Sequence, residues 1–146
     1  MPRYFTLQQA ARLLPQVETA IREAVDSKTE HARLESEFHS ELQRIMMLGG
    51  VDLNRAALLD KRQRRDCCAV RLKKALEAIE EIGCLVKDLD IGLVDFPTLF
   101  HGEEVYLCWK LGESSIGFWH GVDEGFRGRK PIDQYFIDHH KAGRQN

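Results

Sequence analysis

The 146-residue chain is predicted to be a single α+β domain. Apolar residues first recur every three or four positions, which is the helical period, and later alternate at every second position, which is the strand period. We therefore expect a short N-terminal helix and a long antiparallel helical hairpin over 1–86. A small antiparallel β-sheet of about three strands over 87–133 and a tail over 134–146 should follow.

The first helix is predicted to begin at a capping box. Thr6 and Gln9 are spaced so that each side chain can bond the backbone amide of the other residue. Pro15 cannot donate a helical hydrogen bond but suits a first turn. The sequence therefore predicts a short helix over 7–14, a bend, and a second helix over 15–47.

The two long helices are predicted to pair as an antiparallel hairpin. After the glycine pair at 49–50, Asn54 can cap a third helix that runs to about Cys84. This pairing would bring acidic side chains near basic ones, namely Glu30, Glu35 and Glu37 near Arg62, Arg64, Arg65 and Arg71. Because the hairpin is longer than one small domain can cover, we expect a homo-oligomer, with a coiled-coil-like dimer favoured.

Three strands are predicted in the β part. Residues 92–97 form the first, and 105–111 and 116–120 alternate in polarity around a turn at 112–115. Together the last two make a hairpin.

The simplest register of that hairpin assigns its faces. Leu107 would lie opposite His120, and Cys108 opposite Trp119. His120 is then expected to point into the core. Tyr106 and Trp119 would lie on the sheet face turned away from the helices.

Composition excludes several classes of function. The net charge is −2 at pH 7, no long apolar run is present, and the first residues lack the apolar core of a signal peptide. The four cysteines show no C-x-x-C spacing and are expected to be reduced. A basic run over 61–74 is followed by glutamates on the same helix, so nucleic acid is not expected as a partner. We expect a cytoplasmic protein that does not enter a membrane.

A divalent metal is the one cofactor that the residues suggest. His120, Asp123 and Glu124 form an H-x-x-D-E run, in which an imidazole and two carboxylates can hold an ion with an open position. Further ligands can come from Asp88, Asp95 or Cys108. The ordinary alternative is that His120 is a buried histidine bonded to its neighbours.

A small anion is the candidate ligand of the loop over 120–131. Arg127 and Arg129 alternate with glycines there, and guanidinium forks bind phosphates and carboxylates well. The alternative is that these arginines pair with nearby acidic residues. Asp95, a charge within an apolar strand, is either buried and paired or lines a cleft.

Tyr106 and Trp119 are candidates for a recognition patch, because exposed aromatic side chains favour binding. The alternative is that residues 135–137 of the tail cover them. The predicted recognition patch also includes Asp95 and the 120–131 loop.

Several segments resemble a bacterial family of unknown function. In order they read RYFTLQQAARLLP, KDLDIGLVDFP, VYLCWKLGE and GFWHGVDEGFRGRKPID. Their order and spacing are similar to those of domain of unknown function 2203 over nearly the whole chain. The resemblance implies a cytoplasmic protein with a helical hairpin and a small β region. It implies no activity, cofactor or catalytic residue.

Two hypotheses of function follow from these residues. The first is a binding or interaction module that self-associates through its hairpin. The alternative is an enzyme, with or without a metal, that acts on a small anion at the 120–131 loop, with Asp95, His120 and Glu124 as acid, base or metal ligand. An enzyme needs these side chains to converge in a cleft, whereas a module shows them on an open surface or tied into ion pairs.

Overall fold

A computed structural model describes residues 3–49 and 55–142. Within them are helices α1 (Leu7–Met47), α2 (Arg55–Ile82) and α3 (Gln134–His139). The strands are β1 (Leu85–Asp88), β2 (Leu93–Phe100), β3 (Glu103–Lys110), β4 (Phe118–Gly121), β5 (Lys130–Pro131) and β6 (His140–Lys141). The α+β class is confirmed, but the described sheet has six antiparallel strands rather than about three.

The sheet has the order β1-β2-β3-β4-β5, and β6 pairs with the end of β2. The three predicted strands correspond to β2, β3 and β4. The other three are only four, two and two residues long. Such short segments have no alternating pattern to detect, because backbone pairing with a neighbouring edge defines them.

The chain divides into two compact units. The sheet unit comprises Met1–Arg22 and Leu76–Asn146, and the helical unit comprises Glu23–Ala75. Both α1 and α2 contribute residues to each unit.

Helix α1 passes through Pro15 without the predicted break. The predicted capping box is confirmed, since Gln9 Oε1 accepts from the Thr6 amide at 3.0 Å and Thr6 Oγ1 from the Gln9 amide at 3.1 Å. A proline inside a helix costs about 3 kcal/mol. Leu14 and Val17, on either side of it, are buried in the same core, and each such side chain contributes about 1.5–3 kcal/mol on burial. Burial of one continuous face therefore outweighs the proline.

The core of the sheet unit covers one face of the sheet. Trp109, Phe96 and Leu107 are fully buried on this face, which packs against α1 and α2. The ring of Phe5 meets that of Phe96 edge-on at 5.6 Å. The indole N–H of Trp109 donates to the carbonyl of Glu113 at 2.9 Å, so its polar atom is satisfied.

The predicted register of the β3–β4 hairpin is wrong by one residue. Trp119 lies opposite Leu107, and His120 lies opposite Tyr106. Because side chains alternate along a strand, a slip of one residue exchanges the two faces of β4. Trp119 therefore packs against the core, and His120 joins Tyr106 and Cys108 on the other face.

Ion pairs join α1 to α2 in the helical unit. Among the described residues they include Glu23–Arg71 at 2.7 Å, Glu30–Arg64 at 3.7 Å and Glu35–Arg65 at 2.9 Å. The two helices run antiparallel here, and the predicted pairing is confirmed for Glu30 and Glu35. Glu37 instead pairs within α1 with Arg33. Asn54 and most of the connection between the helices lie outside the described residues.

The tail packs into the sheet unit. The Asp133 carboxylate caps α3 by accepting from the Phe136 amide at 2.8 Å, and Phe136 is fully buried. His140 Nε2 accepts from the Leu7 amide at 2.8 Å, at the start of α1. His140 therefore links the tail to the first turn of α1.

Candidate functional site

Three side chains with metal-binding and acid–base chemistry converge on the sheet face opposite the helical core. Asp95, Cys108 and His120 come from the adjacent strands β2, β3 and β4. Asp95 and Cys108 are register partners, and His120 lies opposite Tyr106, two residues from Cys108. All three are buried, and their potential ligand atoms lie within 4.8 Å of one another. We call this set the buried triad.

The histidine and the aspartate of the triad form one hydrogen-bonded pair. His120 Nδ1 lies 2.8 Å from the Gly121 carbonyl, so this nitrogen must carry a hydrogen and donate it. Nε2 lies 3.0 Å from both carboxylate oxygens of Asp95. Burial raises the pKa of Asp95, and the charge of His120 partly offsets this effect. A proton held between the two groups makes the buried pair neutral overall.

The cysteine of the triad is not an activated nucleophile. Burial raises the pKa of Cys108 to about 12, with a contribution from Asp95, while Arg129 acts in the opposite direction. A thiol of this kind stays protonated at neutral pH, and it is the thiolate that attacks. The expectation that Cys108 points beside Trp119, away from His120, follows from the wrong register and is itself wrong.

Tyr106 is buried beside the triad. Its ring meets His120 edge-on at 5.5 Å, and its hydroxyl donates to Glu104 at 3.2 Å. The Lys87 ammonium lies 4.7 Å from the ring centroid. Tyr106 therefore closes one side of the triad and does not offer a face for stacking.

Trp119 is half-buried under the tail. Its indole stacks on Phe136 at 4.8 Å and contacts Phe100 at 5.1 Å. Lys130 lies 4.7 Å from the ring. The alternative considered from the sequence, that the tail covers this tryptophan, describes its surroundings better than an open recognition patch does.

The 120–131 loop holds most of its charges in internal pairs. Both terminal nitrogens of Arg129 bond the two carboxylate oxygens of Glu113, at 3.0 and 2.9 Å. The Arg129 guanidinium also lies over Phe118 at 4.0 Å and Phe126 at 4.3 Å. The guanidinium group of Arg129 is thus already paired with a carboxylate of the protein. Arg127 is exposed.

Glu124 is occupied in the same way. Lys130 and the Gly121 amide bond its carboxylate, at 2.8 and 3.0 Å, and hold the pKa of Glu124 below its ordinary value. Asp123 is exposed. In the described chain His120 therefore groups with Asp95 and Cys108 as potential ligands, and not with Asp123 and Glu124.

The sequence carries the signature of one family. The model of a family described as an uncharacterized conserved protein, domain of unknown function 2203, matches residues 3–132. The chain belongs to this family. No curated protein and no solved structure matches it. None of the helices among the described residues has both the length and the apolar character that a membrane span requires.

Two partners in this family member escaped the sequence reasoning. Glu113 stands in a polar turn, and nothing in its neighbourhood indicates that Arg129 and Trp109 both depend on it. His140 lies in a polar tail without a motif. Phe136, in contrast, belongs to the 135–137 segment that the sequence offered as a cover, and Asp133 caps the short helix that contains it.

Proposed function

We propose that the protein is an interaction module in which the helical unit, Glu23–Ala75, pairs with the helical unit of a second copy. The observation that carries this proposal is the exposure of large apolar side chains in that unit. Met46, Met47, Leu59 and Val70 are all more than half exposed. Apolar side chains in this number on a narrow two-helix unit favour burial against a partner.

The internal seam of the helical unit supports the same proposal. Its buried positions on α2 include the small residues Cys68 and Ala75. Arg65, about one helical turn before Cys68, is partly buried. On α1, Ser27 Oγ is buried with no hydrogen-bond partner in the described chain. Two helices with such a seam bury little apolar surface, and a helix gains most of its stability from packing of an apolar face.

Charge complementarity supports a second copy as the partner. Residues 23–47 of α1 contain six acidic and three basic residues, a net charge of −3, whereas 55–75 of α2 contain eight basic and two acidic, a net charge of +6. An arrangement that places α1 of one copy beside α2 of the other brings opposite charges together. An arrangement that places α2 of one copy beside α2 of the other would bring two positively charged segments together, and these would repel each other.

The 120–131 loop is the surface that this proposal leaves for another partner. Val122 and Arg127 are exposed in this loop, whereas Asp95 and Tyr106, which the sequence placed in the recognition patch, are buried. The enzyme alternative draws less support, because the triad is enclosed and Arg129 is bound by Glu113. Recognition would therefore depend on the exposed loop residues.

Sedimentation equilibrium of the wild type and two matched variants tests the proposal. Val70→Glu places a charge on the helical unit, and Val122→Glu places the same charge on the loop. The two valines form a matched pair, because their side chains are exposed to nearly the same extent, 53% for Val70 and 51% for Val122. We expect the wild type and Val122→Glu to sediment at twice the 16.8 kDa chain mass. Val70→Glu should weaken association at least about tenfold, because it buries an unpaired charge.

Salt provides a second check. Raising ionic strength should weaken the dimer, because exposed charges more than about 8–10 Å apart are screened at 0.1–0.15 M salt. A wild type that sediments as a monomer at micromolar concentration, or a Val70→Glu variant that associates as tightly as the wild type, would contradict the proposal.

A further inference from the structure

We propose that the buried triad of Asp95, Cys108 and His120 binds one divalent transition-metal ion, with Zn²⁺ as the best fit. This proposal is independent of self-association. It rests on the geometry of the three side chains, on their chemistry and on the hydrogen bond that orients the imidazole.

The orientation of the imidazole is that of a metal ligand. The Nδ1 hydrogen of His120 is held by the Gly121 carbonyl at 2.8 Å, so the lone pair of a neutral ring lies on Nε2. A metal-binding histidine usually donates its other ring N–H to a backbone carbonyl or carboxylate in this manner. The partner that fixes the ring is therefore in place without the ion.

The facing atoms need a positive charge. Nε2 lies 3.0 Å from both oxygens of Asp95, and the two side chains are 4% and 0% exposed. Two lone-pair atoms at this separation repel unless a proton or a cation lies with them. Because both side chains are buried, water cannot screen this repulsion. The site therefore holds either a proton or a metal ion.

The third atom selects a transition metal. Imidazole nitrogen, carboxylate oxygen and the sulfur of Cys108 are the ligand types of zinc, at about 2.0–2.3 Å, which separates ligands of a tetrahedral ion by roughly 3.3–3.8 Å. The three atoms here lie within 4.8 Å of one another, so a side-chain adjustment of about 1 Å would seat the ion. A thiolate ligand disfavours Mg²⁺ and Ca²⁺, which take oxygen ligands.

The charges balance when the ion replaces protons. Binding would release the thiol proton of Cys108 and the proton shared by Asp95 and His120, and the resulting thiolate and carboxylate neutralise Zn²⁺. Arg129 also faces Cys108, but its guanidinium is already paired with Glu113. Lys87 acts on Asp95 through its charge.

Metal content of the intact chain tests the site directly. The protein should be produced without a histidine tag, and its zinc measured by inductively coupled plasma mass spectrometry. Metal-free protein is then titrated with Zn²⁺ against a chromophoric chelator. A separate titration with Co²⁺ reports sulfur ligation, because a thiolate bound to Co²⁺ gives a charge-transfer band in the near ultraviolet.

Cys84 provides the matched control. It is a second buried cysteine, burial raises its pKa to about 12 as well, and it lies outside the triad. We expect about one zinc ion per chain in the wild type and in Cys84→Ala, and at least about tenfold weaker binding in Cys108→Ala. Absence of zinc from the wild type, or unchanged binding by Cys108→Ala, would overturn the proposal.

The Co²⁺ titration keeps the test decisive if Cys108→Ala fails to fold. Wild-type protein alone then answers the question. A charge-transfer band that saturates at one equivalent supports the triad as the site, and Cys84→Ala should retain it. Saturation without that band excludes a thiolate ligand and overturns the proposal.

Discussion

Replacing Phe136 by alanine should destabilise the protein severely, although this residue lies only ten positions from the end of the chain. Phe136 is 1% exposed, and its ring stacks on Trp119 and Phe100, each at 4.8 Å. Truncating a buried phenylalanine costs about 3–5 kcal/mol, because apolar contact is lost and a cavity remains. For a chain of this size each kcal/mol lowers the Tm by roughly 2–4 °C, so the Tm should fall by roughly 6–20 °C.

Thermal and urea unfolding followed by circular dichroism measure this loss. Ile137→Ala is the control, since Ile137 is the next residue and 40% exposed. Its free energy of unfolding should change by less than about 1 kcal/mol. If Phe136→Ala stays within about 1 kcal/mol of the wild type, or if both variants lose the same amount, the tail is not part of the core.

Three further outcomes are expected. Removing the acceptor in His140→Ala leaves the first amide of α1 unpaired and should cost about 1–3 kcal/mol in urea unfolding; an unchanged midpoint contradicts this. Gly92 has φ of +67°, and a Cβ there would lie 2.5 Å from Leu111, so Gly92→Ala should lose about 1–3 kcal/mol or more; equal stability refutes it. Arg71 holds the pKa of Glu23 below its ordinary 4.5, so this pair stabilises above about pH 4.5 and is lost as the pH falls. Glu23→Gln should therefore differ from the wild type at pH 7 and approach it as the pH falls through the lowered pKa of Glu23, and a constant difference across that range would be inconsistent.

The elements with strong local signals were predictable. The capping box of Thr6 and Gln9 forms because its partners are three residues apart. Strand β3 alternates in polarity, and the acidic and basic helices pair as expected for Glu30 and Glu35. In each case the decisive contacts are either local or set by a regular period.

The fate of Pro15 was not predictable in the same way. Proline predicts a break from its local cost alone. That cost is outweighed by burial of Leu14 and Val17 against the sheet, which the local sequence does not contain. The short strands β1, β5 and β6 depend likewise on neighbours that are distant in sequence.

The candidate site was predictable in its residues and not in its grouping. Asp95, Cys108 and His120 were each identified from the sequence, yet a hairpin register wrong by one residue turned His120 toward the core. Nothing in a polar turn of four residues selects one register over the next. Packing of Trp119 under Phe136 does select it, and it thereby brings His120 to Asp95.

The sequence by itself determined the α+β class, the helical and strand segments with regular periods, and the family to which the chain belongs. These depend on interactions within a few residues or on patterns that repeat. Only the tertiary structure decided which face each β4 side chain occupies, that Glu113 binds Arg129, and that the tail completes the core. The physical reason is that these outcomes follow from burial between segments tens of residues apart, whose free energy no local pattern records.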